Sequence, residues 1–310
     1  MDIDGTTVID CPNRKFIPNF LDDHGINVIE AIIVSHADDD HVSGATFLIE
    51  SGNVDIKKVI VNPDAEKKSD TWLAFCAAVD KAVNEKRIIL DKNLYAGRKI
   101  INYGEVDLEV LSPTVGMSLR GAGSNDLNGN ALDSNSMSAV IKLIHKSKPV
   151  ALITGDMNRV SYNNIINRKV SLEALVLVYP HHGGHTHETS ITQDEDEKMF
   201  AKELCEQVKP VLIAFSIGRG QHGTPRRTII EGIKQGSPNA HIICTQLSTN
   251  CSTILPLPPT YLYLPSQGVP KNTCCGGSII IELNGLDSIY SPNEEHKNFV
   301  LNILKALCRG

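Results

Sequence analysis

Four candidate metal ligands stand within six residues: His36, Asp38, Asp40 and His41. Imidazole nitrogens and carboxylate oxygens suit Zn²⁺ or Mn²⁺. The run follows directly on Ala31-Ile32-Ile33-Val34, a continuous apolar stretch that predicts a strand buried on both faces. Asp10, Asp156 and the pair His181-His182 also stand at the ends of strand-like stretches, Thr6–Asp10, Val150–Thr154 and Leu175–Tyr179. Loops after strands are where a rigid scaffold presents reactive groups. A solvated acidic turn capping a helix would account for the carboxylates alone. The two histidines at the ends of the cluster favour metal, because a buried strand feeding straight into polar side chains needs something to satisfy them.

Composition places this cluster in an ordinary globular chain. Its 310 residues are 41% hydrophobic and 21% charged, enough for a sizeable core. A formal net charge of -6 gives no general attraction to nucleic acid, although a local basic strip can still track phosphates. No apolar run reaches the roughly 18 residues of a membrane span. The first residues lack the basic start and apolar stretch of a secretory signal, so a cytoplasmic location and no membrane partner are expected. Eight cysteines are too sparse for a disulfide scaffold.

The elements that must carry the cluster are read from periodicity. Helices are expected near Pro18–His24, over 70–84, up to about Gln207, over Pro225–Gln235 and over Asn293–Leu307. Strands are expected at Lys58–Asn62, within Leu90–Leu111, and at Ser138–Ile144, Val211–Ser216, His241–Cys244 and Ser278–Leu283. Residues 113–135 read as a polar loop of a length that is often functional. With no repeat and no clear linker, one strand-rich α/β domain is expected over residues 1–285, two sheets with helices outside, with an amphipathic C-terminal helix over 286–310 packed on it.

The ordered set of motifs resembles the metallo-β-lactamase superfamily. Ser35-His36-Ala-Asp38-Asp-Asp40-His41-Val-Ser-Gly44 is similar to its His-x-His-x-Asp-His signature, with Asp38 in place of the second His. Val8-Ile9-Asp10, Leu152-Ile153-Thr154-Gly155-Asp156 and Val178-Tyr179-Pro180-His181-His182-Gly183 resemble the other segments in the same order. Within the superfamily the chain is most similar to the hydrolase domain of ComEC-type DNA-uptake competence proteins. The likeness rests on Asp38, Asn135-Ser136, Thr154-Gly155-Asp156 and Ser216-Ile-Gly218-Arg219-Gly-Gln-His222-Gly-Thr-Pro225. The resemblance implies an α/β four-layer αββα sandwich. The Val-Gly-x-Gly-Asp segment of that family's first strand is absent, so the chain is expected to start one or two strands late.

The resemblance also implies roles. His36 and Asp38 would bind a first metal, Asp40, His41 and His181 a second, and Asp156 would bridge them. Asn135 stands near the position of the family's separate mid-chain histidine, so the first metal is expected to be weakly held or absent. One or two Mn²⁺ or Zn²⁺ ions are expected, with Asp38 shifting preference toward Mn²⁺. Asp10 would orient a ligand histidine; a plain turn residue is the alternative. Neighbours on an extended segment point opposite ways, so one of His181 and His182 is expected to bind and the other to lie beside the site. His185 and His187 read as loop histidines.

Catalysis is assigned to Asp40 and His222, the latter for leaving-group protonation or phosphate contact, against an ordinary loop histidine. Arg219 and Arg226 flank His222 and are candidates for holding a phosphate. Cys244, Cys251, Cys274 and Cys275 are chemically suited to a structural zinc, or are buried small hydrophobes.

The expected function is a metal-dependent phosphodiesterase or nuclease acting on nucleic acid or another phosphodiester. The alternatives are a small-molecule hydrolase (lactonase, thioesterase or β-lactamase-like) and a non-catalytic metal-stabilised binding module. A companion protein and the oligomeric state are left open.

Overall fold

A computed structural model of the chain describes residues 5–12, 15–186, 193–220, 222–283 and 293–309. In chain order the elements are β1 (Thr7–Ile9), α1 (Phe16–Asp23), β2 (Val28–Ile29), β3 (Ala31–Val34), α2 (Asp39–Ser51), β4 (Asp55–Ile56), β5 (Lys58–Val61), α3 (Asp70–Asn84), β6 (Ile89–Asp91), β7 (Lys99–Tyr103), β8 (Val106–Ser112), α4 (Val115–Arg120) and β9 (Val140–His145). They continue with β10 (Lys148–Ile153), α5 (Arg159–Asn167), β11 (Val176–Val178), α6 (Gln193–Val208), β12 (Leu212–Phe215), α7 (Arg227–Gly236), β13 (His241–Cys244) and α8 (Asn293–Leu301). Contacts divide the chain into two compact units, Met1–Ile141 with Gly155–Arg168, and Lys142–Thr154 with Lys169–Gly310. No helix among the described residues is long and apolar enough to cross a membrane.

The first unit is built on a parallel sheet in the order β1-β3-β5-β6. The pairing is in register at Ile9↔Ile33 and Ile33↔Ile60. All four residues of β3 are buried, as its unbroken apolar run requires. Parallel neighbours need crossovers, and α1, α2 and α3 supply them. Ala45, Leu48 and Ile49 of α2 and Phe75, Val79 and Ala82 of α3 lie in one apolar cluster with Val8, Ile32, Val34 and Val59 of the sheet. Ser69 caps α3 by accepting from the Trp72 amide at 3.2 Å. β7 and β8 pair antiparallel as a hairpin.

The segment expected to be a plain loop over 113–135 contains α4. Thr114 caps it, accepting from the Met117 amide at 3.2 Å, and buried Met117 anchors it to Leu132 and Met137. The rest of that segment is organised by Asp126. Its carboxylate accepts from the Asn128 and Asn130 amides at 2.8 Å each, from the Asn130 side chain at 2.9 Å and from Asn164 at 3.3 Å.

In the second unit β10, β11, β12 and β13 run parallel, with Leu152↔Leu177, Leu177↔Ile213 and Ile213↔Ile242 in register. Between β11 and β12 runs α6, and between β12 and β13 runs α7. These two helices approach closely because α7 carries Gly232 and Gly236. A Cβ on Gly232 would lie 2.2 Å from the Lys198 carbonyl oxygen and 2.9 Å from Ala201 Cβ.

Two expectations fail at the end of this unit. Among the described residues the segment Ser278–Leu283 makes an isolated bridge, Tyr263↔Ser278, in place of a strand, while Ile279 and Ile281 pack against the core. The last helix stops at Leu301. Turns follow, in which Ile303 and Leu307 are buried and Leu304 is exposed, so the apolar spacing there serves a folded-back tail instead of one helical face.

Gly232→Ala is expected to destabilise the protein by about 1–3 kcal/mol, since the clash is with backbone and cannot be relieved by a rotamer. A lower urea midpoint at unchanged slope checks it. A second expectation concerns acid. Burial acts to raise the Asp126 carboxyl, but the Asn130 side chain and amide, Asn164 and the Asn128 amide outweigh it and lower it from 3.8 to about 2. Its contribution is therefore whole above about pH 4 and is lost as pH falls through about 2. Melting curves of wild type and Asp126→Ala should differ at neutral pH and converge over that window.

Candidate metal centre

Strand ends place the site. Asp10 follows β1 at a left-handed φ of 55°, and its amide donates to the Ile33 carbonyl at 2.9 Å. This turn swings the Asp10 carboxylate under the end of β3. There Oδ1 accepts the Ser35 amide at 2.7 Å, and Oδ2 accepts the Ser35 hydroxyl at 2.8 Å and His41 Nδ1 at 2.9 Å. An ionised carboxylate only accepts, so the His41 proton there sits on Nδ1. Ser35 spends its single proton on Asp10 and turns a lone pair to His36 Nδ1, 3.0 Å away. Each imidazole is thereby held by Nδ1, with Nε2 as its remaining ring nitrogen.

The third arm is Asp156. Gly155 precedes it at φ 50°, where a Cβ would lie 2.3 Å from Ser138 Oγ and 3.1 Å from Ser35 Cβ. Glycine alone lets this backbone press against both serines. The Asp156 amide then donates to Ser138 Oγ at 2.9 Å, and that hydroxyl lies 3.3 Å from His36 Nδ1. Asp156 Oδ2 comes 3.6 Å from His36 Nε2, and Oδ1 comes 3.3 Å from His41 Nε2. The three side chains offer donor atoms all within 4.8 Å of one another. They are 5%, 5% and 4% exposed.

His36 Nε2 is buried and has no hydrogen-bond partner among the described residues. Leaving such an atom unsatisfied costs about 1–3 kcal/mol. A divalent cation would satisfy it, and two imidazoles with a carboxylate are a suitable donor set. The residues present therefore fit a metal. Burial alone would lower the His41 ring, but Asp10 and Asp156 outweigh it and hold it well above its usual value. Burial likewise acts to raise Asp10, and His41 with the Ser35 amide keeps it below the usual carboxylate range. An ion bound at His41 Nε2 displaces any proton held there.

Other expected site residues of this unit lie around the trio. Asp38 is the N-cap residue of α2, and its Oδ1 is 3.8 Å from His36 Nε2. Asp40, on the first turn of α2, has a 58% exposed side chain whose Oδ1 is 3.9 Å from His41 Nε2. Asn135 is half-buried, and its Oδ1 is buried with no partner among the described residues.

The remaining candidates belong to the second unit. His181 and His182 both take left-handed conformations, φ 51° and 55°, in a tight turn, so the extended alternation expected of them does not apply. His182 Nδ1 donates to the Ser216 carbonyl at 2.6 Å, the same Nδ1 tether that holds His41. His185 is half-buried, its Nδ1 lying 3.8 Å from Glu197, and His187 lies outside the described residues. His222 is exposed at φ 53°.

Arg219 donates to the carbonyls of Leu247, Ser252 and Thr253 at 2.7, 2.8 and 3.2 Å. Its guanidinium is thus occupied in holding that loop. Arg226 contacts Asp194 at 3.1 Å. Cys244, Cys251, Cys274 and Cys275 are buried free thiols. Among the described residues no cysteine joins a group of three close donors. Burial and neighbouring thiols push Cys244 and Cys275 well above the usual range, so both stay protonated. Cys275 Sγ lies 3.3 Å from His296 Nε2, a residue the sequence reading did not single out.

Sequence reading also missed Ser35 and Ser138 as the groups that set the histidines. Ser35 adjoins the cluster and was legible as a strand-end hydroxyl. Ser138 lies 102 residues from the ring it touches and carries no local signal.

No family model matches the sequence, and no curated protein is significantly similar to it. Similar solved structures include Igni18, a metallo hydrolase from the hyperthermophilic archaeon Ignicoccus hospitalis KIN4/I. It is 12% identical with a TM-score of 0.40, over 76% of this chain and 82% of that one. Another is a diphosphatase from the PhnP family, 13% identical with a TM-score of 0.31, over 67% of this chain and 66% of that one. Likenesses this distant carry no weight for activity, which rests on the site.

Replacing Asp10 by Ala removes the acceptor that orients His41. Affinity for Mn²⁺ or Zn²⁺, measured by calorimetry on chelator-treated protein, should fall about 10–100-fold with the fold retained. Unchanged affinity would show that Asp10 is a turn residue only.

Proposed function

We propose that the chain is a metal-dependent hydrolase that cleaves phosphodiesters, nucleic acid among them. The observation that carries the metal is the trio His36, His41 and Asp156 with the unsatisfied buried Nε2 of His36. The resemblance to the ComEC-type domains and to a four-layer αββα sandwich, read from the motif order, supplies the substrate class. It also adds Asp38, Asp40 and one of His181 and His182 to the ligands. His181, His182, His222, Arg219 and Arg226 lie in the second unit and enter the proposal through that resemblance alone.

The trio would hold a divalent ion, which would bring the pKa of a bound water down into the neutral range and polarise a phosphoryl oxygen. The protein's own part is orientation and proton handling. Asp10 and Ser35 fix the two imidazoles so that their Nε2 atoms stay on station. The exposed Asp40 carboxylate, with Oδ1 3.9 Å from His41 Nε2, would accept a proton from attacking water. His222 would return a proton to the leaving oxygen. The Asp156 carboxylate makes the centre harder than an all-imidazole one, which favours Mn²⁺ and phosphate oxygens.

The test is a panel of plasmid DNA, single-stranded DNA, RNA, a chromogenic phosphodiester and a lactone, each with Mn²⁺, Mg²⁺ or Zn²⁺. Phosphodiester cleavage is expected to be strongest with Mn²⁺ and to fall by about a hundredfold or more in His36→Ala and Asp156→Asn, since even an outer partner of a ligand is worth 10–100-fold. Turnover of the lactone alone, with Zn²⁺ alone, would instead select a small-molecule hydrolase. Metal uptake without any turnover would select a binding module.

A further inference from the structure

The carboxylate of Asp38, within the His36–His41 cluster, is paired with a lysine ammonium. As N-cap of α2, Asp38 has the extended ψ of 148° typical of that position, yet its side chain takes no hydrogen bond from the helix amides. An N-cap aspartate ordinarily accepts from the second or third amide. Here Oδ1 instead receives Lys67 Nζ at 2.7 Å. Lys67 lies in the loop between β5 and α3, remote in sequence from the motif.

That loop is a firm support. Asp64 Oδ1 accepts the amides of Glu66 and Lys67 at 3.0 and 2.9 Å, and Asp64 Oδ2 accepts Ser134 Oγ at 2.5 Å. Trp72 Nε1 donates to the Asp64 carbonyl at 3.0 Å. Ser69 Oγ donates to Asp39 Oδ1 at 2.7 Å, a second tie between this loop and the start of α2. The ammonium is therefore delivered to Asp38 from a backbone fixed on several sides. The Lys67 and Asp38 side chains are 26% and 28% exposed, so both are largely screened yet reachable from solvent.

We infer that the Lys67 ammonium occupies the place of a second divalent ion beside Asp38, so that the centre holds one divalent ion, at His36, His41 and Asp156, with Lys67 as its other positive charge. This rests on the metal-hydrolase reading above and narrows it. Geometry favours it: Lys67 Nζ lies 2.7 Å from Asp38 Oδ1, the same carboxylate oxygen that stands 3.8 Å from His36 Nε2. An ammonium has three donors. One is committed to Asp38, and the others can meet anionic oxygens of a substrate. Lysine does this as a compact point charge, without the fixed geometry that a second metal would impose.

The test counts ions and does not depend on turnover. Chelator-treated full-length protein is titrated with Mn²⁺ by calorimetry, and the dialysed complex is checked by elemental analysis and thermal melting. Wild type and Lys67→Arg are expected to bind one equivalent. Lys67→Met, or Lys67→Gln should the first fold poorly, is expected to bind a second. Adding Asp38→Asn to the Lys67 variant should abolish that second equivalent. Two equivalents in wild type would overturn this inference and leave the hydrolase reading standing. No uptake by wild type would overturn both. One equivalent in the folded Lys67 variants, or a second that survives Asp38→Asn, would overturn the inference alone.

Discussion

The carboxylate of Asp10 is the constraint on which the metal centre depends. It receives the Ser35 amide, the Ser35 hydroxyl and the His41 ring within 2.7–2.9 Å. Each acceptance has a consequence one atom further on. Binding the amide holds the end of β3 against the turn that follows β1. Taking the serine proton forces Ser35 to accept from His36. Taking the His41 proton directs that ring's Nε2 toward Asp156. One carboxylate thus sets the orientation of two imidazoles, and it stays ionised because the groups around it outweigh the desolvation that would neutralise it.

The same economy of short-range packing appears at Gly155. A side chain there would collide with Ser138 and Ser35, so the absence of a Cβ is what brings the Asp156 amide onto the Ser138 hydroxyl. The serines act as spacers whose hydroxyls settle proton direction, and the glycine lets the chain come close enough to use them. A rigid donor set results from hydrogen bonds made by residues that would bind no metal themselves.

Elsewhere, groups with suitable chemistry are committed to structure. The Arg219 guanidinium is spread over backbone carbonyls of residues 247–253, where it satisfies a loop that has no sheet ladder of its own. The buried thiols of Cys244 and Cys275 pack among other thiols and His296, and burial keeps them protonated. Residue type was a fair guide to what these side chains can do. Their neighbours decide what they are available for.

Local pattern was enough for the features that depend on near neighbours in sequence. The apolar run at 31–34 implied a buried strand, and the histidines and aspartates that follow it implied donors at its end. The spacing over 70–84 implied a helix, and α3 is that helix. Local pattern misled where apolar residues serve packing without regular structure, as at Ser278–Leu283 and beyond Leu301, because side-chain periodicity does not report whether the backbone has a hydrogen-bonding partner. Tertiary structure alone decided which atoms meet. Asp10 reaches His41 across 31 residues and Ser138 reaches His36 across 102, while Lys67 reaches Asp38 across 29. Such contacts follow from strand register and loop anchoring, which no window of sequence contains. The sequence alone therefore determined the kinds of donor this protein presents and the strand ends that present them. The fold determined their proton direction, their spacing, and which carboxylate was already taken by a lysine.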